Sequence, residues 1–287
     1  MIAFSGMILL TFRELWAKKV VLGLFVVSTL VLLMVAFALN LDVVEGSLAG
    51  IRLFGQDAVQ GEVETPEGTQ AVEDALSLER VVFGIESVVA AVTYWIGILL
   101  ALFATGPLFA SLLERGHIDL LLAKPLSRLQ LLTGHIIGVW LAMLVLATYL
   151  LGGLWLIMSL KTGIWNPSFL LSIALVVGMF AVMYAAIVFT GVGTESTALS
   201  LIVTYGLIFI SIFLAGADPL AEQLSAAWQP VFWGFYHVLP NFAEVSGTVS
   251  TLAKDEPISS WYPTFSSLVF GAVIYGGAAF WFARKDF

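Results

Sequence analysis

Six long stretches of apolar residues limit what this chain of 287 residues can fold into. None of them contains Asp, Glu, Lys or Arg, and about 20 apolar residues in a helix are enough to cross the hydrocarbon core of a membrane. The stretches are residues 20–39, 87–112, 136–160, 169–190, 198–217 and 263–283. Because lipid offers no partner to unpaired backbone groups, each stretch is predicted to be a continuous helix. The predicted fold class is therefore all-α, a polytopic membrane protein with six transmembrane helices.

The overall composition excludes a soluble protein. Charged residues make up 11% of the chain and hydrophobic residues 60%, whereas soluble domains carry about 25% charged residues. The formal net charge of −8 argues against a nucleic-acid partner, because basic residues are needed to neutralise phosphates. The chain has no Cys, which removes disulfides and thiolate metal ligands.

The lysines and arginines predict the orientation of the chain. If the N-terminus is cytoplasmic, eight of the twelve lie in cytoplasmic segments, and the positive-inside rule favours that arrangement. An even number of crossings then returns the C-terminus to the cytoplasm.

Residues 1–19 are predicted to form an amphipathic interfacial helix ahead of a six-helix transmembrane domain, residues 20–287. Phe12 and Leu15 fall on the apolar face of this helix, and Thr11 falls on the polar face. This pattern is typical of a helix that lies in the inner membrane interface. A simple lead-in to the first span is the alternative.

Two longer segments are expected outside the membrane. Residues 40–85 form an acidic external loop with nine Asp and Glu residues, and the Thr-Pro-Glu-Gly sequence at 65–68 predicts a turn. That turn would close a small hairpin of residues 59–64 and 69–74. Residues 217–262 are rich in aromatic side chains and contain several prolines, which predicts an external re-entrant or interfacial segment of short helices.

Residues 113–135 form the most informative cytoplasmic segment. Apolar residues recur in it at helical spacing, at Ile118, Leu121, Leu122, Leu126 and Leu129. Pro125 divides the segment, and Ser127 is the expected N-cap of the helix that follows. An apolar ridge flanked by charges of both signs favours docking to another protein. Contact of this ridge with the membrane surface is the alternative.

The chain lacks the residues that an enzyme of this kind would need. It has no Gly-Lys dipeptide and so no P-loop for ATP, and His117, His135 and His237 are too scattered to hold a metal. We therefore expect no enzymatic activity, no catalytic residues, no metal and no cofactor bound by this chain. The six spans also carry no ionisable acid or base that a proton-driven cycle could titrate. Energy for transport must then enter from outside the spans, and residues 113–135 are the candidate entry point.

The same cytoplasmic segment resembles the permease subunits of ABC-2 type ABC transporters. Members of that family carry a stretch of the form E-x-G-x-x-[ED]-x-L-L-x-x-P-x-S-R-x-x-[IL]-L-x-G-K after the second span. The matching residues here are Glu114, Gly116, Asp119, Leu121, Leu122, Pro125, Ser127, Arg128, Leu131, Leu132 and Gly134. His135 stands where the family usually has Lys. The chain looks most similar to the subgroup that includes nitrous-oxide-reductase maturation and gliding-motility permeases.

The resemblance implies an ABC-2 type permease fold, with two ATPase copies beneath two permeases that form a homodimer or a heterodimer. ATP and Mg²⁺ would be bound by the ATPase, and the location would be the cytoplasmic (inner) membrane of a prokaryote. The coupling helix would lie in residues 113–135, within the loop between the second and third spans. The implied ATPase-coupling residues are Glu114, Arg115, Gly116, Asp119, Leu121, Leu122, Pro125, Ser127 and Arg128. Family substrates are usually lipid-like, hydrophobic or amphipathic, and most are exported.

Two other classes of function stay open at this stage. A membrane enzyme acting on lipid-linked substrates would need a polar cluster at one membrane face, and Asn241 with Glu244 near His237 is the best candidate. The other class is a structural subunit of a larger membrane complex, which would need no such polar cluster.

Overall fold

The fold comes from a computed structural model that describes residues 2–17, 19–44, 47–53, 56–59, 62–65, 68–71, 78–112, 127–215 and 223–285. Its helices are α1 Ile2–Ala17, α2 Val20–Leu33, α3 Leu78–Val92, α4 Ile98–Leu112, α5 Arg128–Ala147, α6 Gly153–Thr162, α7 Pro167–Thr194, α8 Thr197–Leu214, α9 Gln229–Val238, α10 Phe242–Ala253 and α11 Tyr262–Arg284. Three π-helical turns extend or join them. Met34–Ala38 extends α2, Thr93–Gly97 joins α3 to α4, and Thr148–Gly152 joins α5 to α6.

Five of the resulting helices are long and apolar enough to cross a membrane. They are Leu78–Phe109, Arg128–Thr162, Pro167–Thr194, Thr197–Leu214 and Tyr262–Arg284. Each contains most of one of the last five predicted spans. The first predicted span corresponds to a shorter apolar helix, Val21–Phe37. The described helices therefore support a multi-pass membrane protein.

The segment between the first two spans contains strands in its described part. Strands β1 Leu39–Val44, β2 Ser47–Leu53 and β3 Gln56–Val59 form an antiparallel sheet in the order β1-β2-β3. Strands β4 Glu62–Thr65 and β5 Gly68–Ala71 form a separate hairpin in which Thr65 pairs with Gly68. The predicted hairpin is confirmed, with shorter strands than expected. The predicted all-α fold class holds for the membrane bundle, but this segment contains β-strands.

Helix α7 lies at the centre of the bundle. It is apolar on all sides, which is typical of a helix enclosed by others, and its side chains from Phe169 to Val192 are largely buried. Asn166 caps its first turn by accepting a hydrogen bond from the Phe169 amide, and Pro167 occupies the first helical position. Helices α8 and α11 pack against α7 along much of its length.

The N-terminal helix α1 packs against the inner half of α5. Leu15 is buried as its apolar position predicts, but Thr11, which the pattern places on the polar face, is also fully buried. The reason is Gly138 on α5, where a Cβ atom would lie 2.8 Å from the Thr11 Cβ. The missing side chain at Gly138 leaves space for Thr11, so the sequence assignment of Thr11 to an exposed face is wrong.

A glycine on α11 allows the close contact between α11 and α7. A Cβ at Gly271 would lie 3.2 Å from the Cα of Val182, a backbone atom that cannot rotate away. We expect Gly271→Leu to destabilise the protein by about 1–3 kcal/mol, because overpacking forces these two helices apart. The measurement is the melting temperature of the purified chain in detergent.

Gly276 on the same helix supplies the matched control for this prediction. It is exposed, and a Cβ there would meet no atom within 4 Å. Gly276→Leu should leave the melting temperature near that of the native chain. An equal fall for both variants would contradict the assigned α7–α11 contact.

Candidate functional site

The candidate site lies at the cytoplasmic end of the predicted bundle, where the predicted coupling segment leads into α5. Residues 113–126 of that segment lie outside the described part of the chain. The predicted coupling residues that fall there are Glu114, Arg115, Gly116, Asp119, Leu121, Leu122 and Pro125. Ser127 and Arg128 are described, and they fix how the segment enters the bundle.

Ser127 begins α5 as a capping box. Its hydroxyl accepts a hydrogen bond from the Gln130 amide at 3.2 Å, and the Gln130 side chain accepts one from the Ser127 amide at 3.0 Å. This reciprocal pair satisfies two backbone donors that the first turn of a helix would leave without partners. The predicted N-cap is confirmed, and it holds the exit of the cytoplasmic segment at a defined angle.

Arg128 connects this exit to the other end of the chain. Its guanidinium donates to the backbone carbonyl of Lys285 at 2.5 Å and lies 3.5 Å from the carbonyl of Ala283. Both carbonyls belong to the end of α11, where helix geometry leaves carbonyls without intrahelical donors. In the absence of an ATPase, Arg128 is therefore held by the last helix of its own chain.

Lys285 extends this connection to the junction of α7 and α8. Its ammonium group lies 2.7 Å from the Glu195 carboxylate and donates to the Val192 carbonyl at 2.5 Å. Glu195 ends α7 in the left-handed region at φ 55°, which turns the chain at once into α8. The Lys285 side chain is 16% exposed, whereas Glu195 is 50% exposed, so one partner of the ion pair is largely withdrawn from water.

Arg128, Lys285 and Glu195 together form what we call the inner-face clamp. It joins the start of α5, the end of α11 and the turn between α7 and α8, three points that are far apart in the sequence. Charge-assisted hydrogen bonds of this kind are stronger than neutral ones and more directional. These contacts connect the residue that begins α5 with the end of α11 and with the turn that leads into α8.

Tight packing above the clamp makes that end of the bundle stiff. A Cβ at Gly193 would lie 2.4 Å from the Trp281 ring, and a Cβ at Gly191 would lie 2.8 Å from the Phe109 ring. His135 is fully buried there, with its Nε2 atom 3.2 Å from the Tyr184 hydroxyl. The histidine that replaces the usual lysine of the family motif is thus an internal contact between α5 and α7.

A second polar junction lies at the opposite end of the bundle, which the sequence predicts to be external. Glu86 on α3 is 1% exposed, and its carboxylate accepts a hydrogen bond from the Asn166 side chain at 2.9 Å. The same amide group donates to the Ala253 carbonyl at 3.0 Å. Asn166 therefore ties α3, the start of α7 and the end of α10 together.

We expect Asn166→Leu to destabilise the protein by about 2–4 kcal/mol. The change removes the cap of α7. It also removes the hydrogen bond that the Asn166 side chain donates to the buried Glu86 carboxylate. The midpoint of thermal unfolding in detergent measures the effect. Ser168→Ala, two residues further along the chain and at a part-exposed position, is the control and should change the midpoint little. A midpoint unchanged in both variants would contradict this role of Asn166.

The polar cluster proposed for an enzyme is divided among different partners. Asn241 bonds to Ser266 and Ser267, and it begins α10. The Glu244 carboxylate accepts from the Tyr236 hydroxyl at 2.8 Å, and His237 bonds to the Tyr262 hydroxyl. These contacts do not align a nucleophile with a base. Among the described residues, no three His, Asp or Glu side chains gather closely enough to bind a metal ion.

The fold and this site define a polytopic α-helical membrane protein with a polar connection at the end where α5 begins and α11 ends. The family model of the ABC-2 family transporter protein matches residues 10–287, which is nearly the whole chain. The chain belongs to the ABC-2 transporter family. It is thus a permease component of an ABC transporter, of a kind that works as a dimer with a separate ATPase subunit. Comparison with curated proteins and with solved structures gives no match.

Sequence reasoning identified Ser127 and Arg128 but missed Lys285 as the partner of Arg128 and Glu195 as the partner of Lys285. The predicted topology puts both on the cytoplasmic side, Lys285 near the C-terminus and Glu195 in the short turn between the fourth and fifth predicted spans. Opposite charges at the same membrane face, next to helix ends, were the available signal. The pairing itself could not be deduced, because it depends on which helices are neighbours.

Proposed function

We propose that this chain crosses the membrane six times with both termini in the cytoplasm. Two such permeases, identical or not, combine with two copies of an ABC ATPase, which binds ATP and Mg²⁺, in the cytoplasmic membrane of a prokaryote. The complex exports a lipid-like, hydrophobic or amphipathic substrate. The resemblance to permeases of nitrous-oxide-reductase maturation and gliding motility belongs to this proposal as well.

The observation that carries the proposal is family membership over residues 10–287 in a chain whose six predicted spans contain no Asp, Glu, Lys or Arg. Work done by such a bundle needs an energy source outside the membrane. The segment at 113–135 is the point of entry, because it combines an apolar ridge with charges of both signs. Its coupling residues remain those named from the sequence.

The inner-face clamp supports a route from the ATPase to the transport path. Movement of the segment that ends at Ser127 displaces Arg128, which holds the end of α11. Lys285 passes the displacement to Glu195, directly before α8. In the family that this chain belongs to, we expect the fifth span, here α8, to line the path.

The apolar surface of the bundle supports a lipid-like or amphipathic cargo. Large side chains on α4 and α8 are more than half exposed, as shown by Phe103, Ile202 and Phe209. A path between two permeases lined by such faces would favour an apolar chain and would bind a free ion poorly.

Copurification with the ATPase tests this function. The chain should be expressed together with the ATPase encoded in its neighbourhood, and the complex should hydrolyse ATP in lipid vesicles at a rate that depends on the permease. The ATPase alone is the control. A stable assembly without an ATPase would favour a structural subunit, and activity on a lipid substrate without an ATPase would favour a membrane enzyme.

A further inference from the structure

A cavity of about 360 Å³ opens at the outer end of the bundle, among α9, α10 and the start of α11. Its walls include Tyr236, Glu244, Thr248, Thr251, Ser260 and Tyr262. The cavity lies at the end of the molecule opposite to the inner-face clamp. A volume of this size is enough for a small organic group or for the headgroup of an amphipathic molecule.

Aromatic rings form one side of this cavity. The rings of Tyr236 and Tyr262 are nearly parallel, at 17°, with centroids 6.2 Å apart. Trp233 packs on Tyr236 with centroids 5.4 Å apart and supports the ring from behind. Hydrogen bonds from Tyr236 to Glu244 and between Tyr262 and His237 hold both rings in place. Aromatic faces attract cations through the negative charge of the ring face.

Glu244 supplies the charge of the cavity. Among the described residues that line it, Glu244 is the only Asp, Glu, Lys, Arg or His, and its side chain is half-buried. The remaining polar groups of the wall are hydroxyls, which can accept hydrogen bonds. A carboxylate beside aromatic faces and hydroxyl oxygens repels anions and attracts a positive group, and the described residues of the wall include no lysine or arginine.

The two segments that the sequence predicts to be external also carry a net negative charge. Residues 40–85 and 217–262 carry nine and five acidic residues, against the three basic residues Arg52, Arg80 and Lys254. This excess is independent of the geometry of the cavity. It raises the local concentration of cations near the outer face.

We propose that this cavity binds the ammonium group of an organic cation, with the charge against Glu244 and the substituents against Tyr236 and Tyr262. The proposal goes beyond the transport function, since binding here needs neither ATP nor the ATPase. A neutral sugar could use the hydroxyls and rings, but it would gain nothing from the carboxylate or from the acidic segments. An anion would be repelled by the Glu244 carboxylate.

Choline and its uncharged isostere, 3,3-dimethylbutan-1-ol, provide the test. The full chain is purified in a polyoxyethylene detergent, which carries neither an ammonium group nor a sugar. Ligand-observed saturation-transfer NMR then measures binding of each probe, with glucose as a third probe. We expect saturable binding of choline and at least about tenfold weaker binding of the isostere, because the charge–carboxylate attraction is lost.

Two variants locate the binding. Glu244→Gln keeps the shape and removes the charge, so choline affinity should fall about tenfold. Tyr262→Leu removes one aromatic face, and affinity should fall about threefold. Glu256→Gln is the matched control, an exposed acid of the same external segment that does not line the cavity, and it should leave affinity unchanged.

The proposal is overturned if the isostere binds as tightly as choline, if glucose binds more tightly, or if choline affinity survives both Glu244→Gln and Tyr262→Leu. If one of these variants fails to fold, the other variant and the comparison of choline with its uncharged isostere still test the proposal. If the complex hydrolyses ATP but the chain does not bind choline, the proposed transport function is supported and the proposed cation site is refuted.

Discussion

Replacing Leu121 and Leu122 together with lysine is expected to abolish ATP hydrolysis that depends on the permease. The family resemblance places both leucines in the coupling helix, where they would be buried against the ATPase. Burial of two leucines contributes about 3–6 kcal/mol, which equals about two to four orders of magnitude in affinity. Lysine at both positions would also bring two charges into an apolar groove without partners. The measurement is the hydrolysis rate of the reconstituted complex, together with copurification of the ATPase.

Leu160→Lys is the matched control for this prediction. Leu160 lies at the outer end of α6, is 71% exposed and already precedes a natural lysine. The same substitution there should leave both hydrolysis and copurification unchanged. Glu114→Lys, which reverses a charge in the coupling segment, should behave like the leucine variant. Full hydrolysis by the Leu121 and Leu122 variant would contradict the coupling assignment.

Removing the inner-face clamp is expected to leave the ATPase bound but to reduce the movement that it drives. Lys285→Met loses the ion pair with Glu195 and the hydrogen bond to the Val192 carbonyl while keeping most of the side-chain volume. A hydrogen bond to a charged group is worth about 1.5–3 kcal/mol when buried, and the exposure of Glu195 lowers the value for this pair. We therefore expect the ATP-driven change in α8 position to shrink several-fold while hydrolysis continues.

Spin labels can follow this movement without knowledge of the cargo. The chain has no Cys, so labelled cysteines at positions 160 and 213 report one distance between the outer ends of α6 and α8. Arg284→Met is the control, because the Arg284 guanidinium lies over the Phe280 ring at 3.8 Å, outside the clamp contacts given above. Combining Glu195→Gln with Lys285→Met should add little beyond Lys285→Met alone, since the lysine substitution already removes the ion pair with Glu195. A full distance change in Lys285→Met would refute the clamp as the route.

The helices were predictable from the sequence because their signal is local. An uncharged run of about 20 apolar residues needs no knowledge of its neighbours to be assigned to the membrane. The N-cap at Ser127 and the turn at 65–68 were predictable for the same reason, since each depends on three or four adjacent residues. The π-helical turns at 93–97 and 148–152 carry no comparable pattern and were not foreseen.

The contacts that give the site its form depend on packing between distant segments. Thr11 is buried because Gly138 lacks a side chain, and Lys285 meets Glu195 because α11 packs against α7. Glu86 directly precedes the second apolar stretch, at one end of the predicted span. Its burial against Asn166, 80 residues away, follows only from the arrangement of three helices.

The most direct test of the central claim is a cysteine placed at position 121 in this otherwise cysteine-free chain. Membrane-impermeant maleimide should label it only from the cytoplasmic side, and the assembled ATPase should protect it. A short bifunctional reagent should then cross-link it to the ATPase. Labelling from the outer side, or equal labelling with and without the ATPase, would contradict the claim that this segment receives the energy for transport.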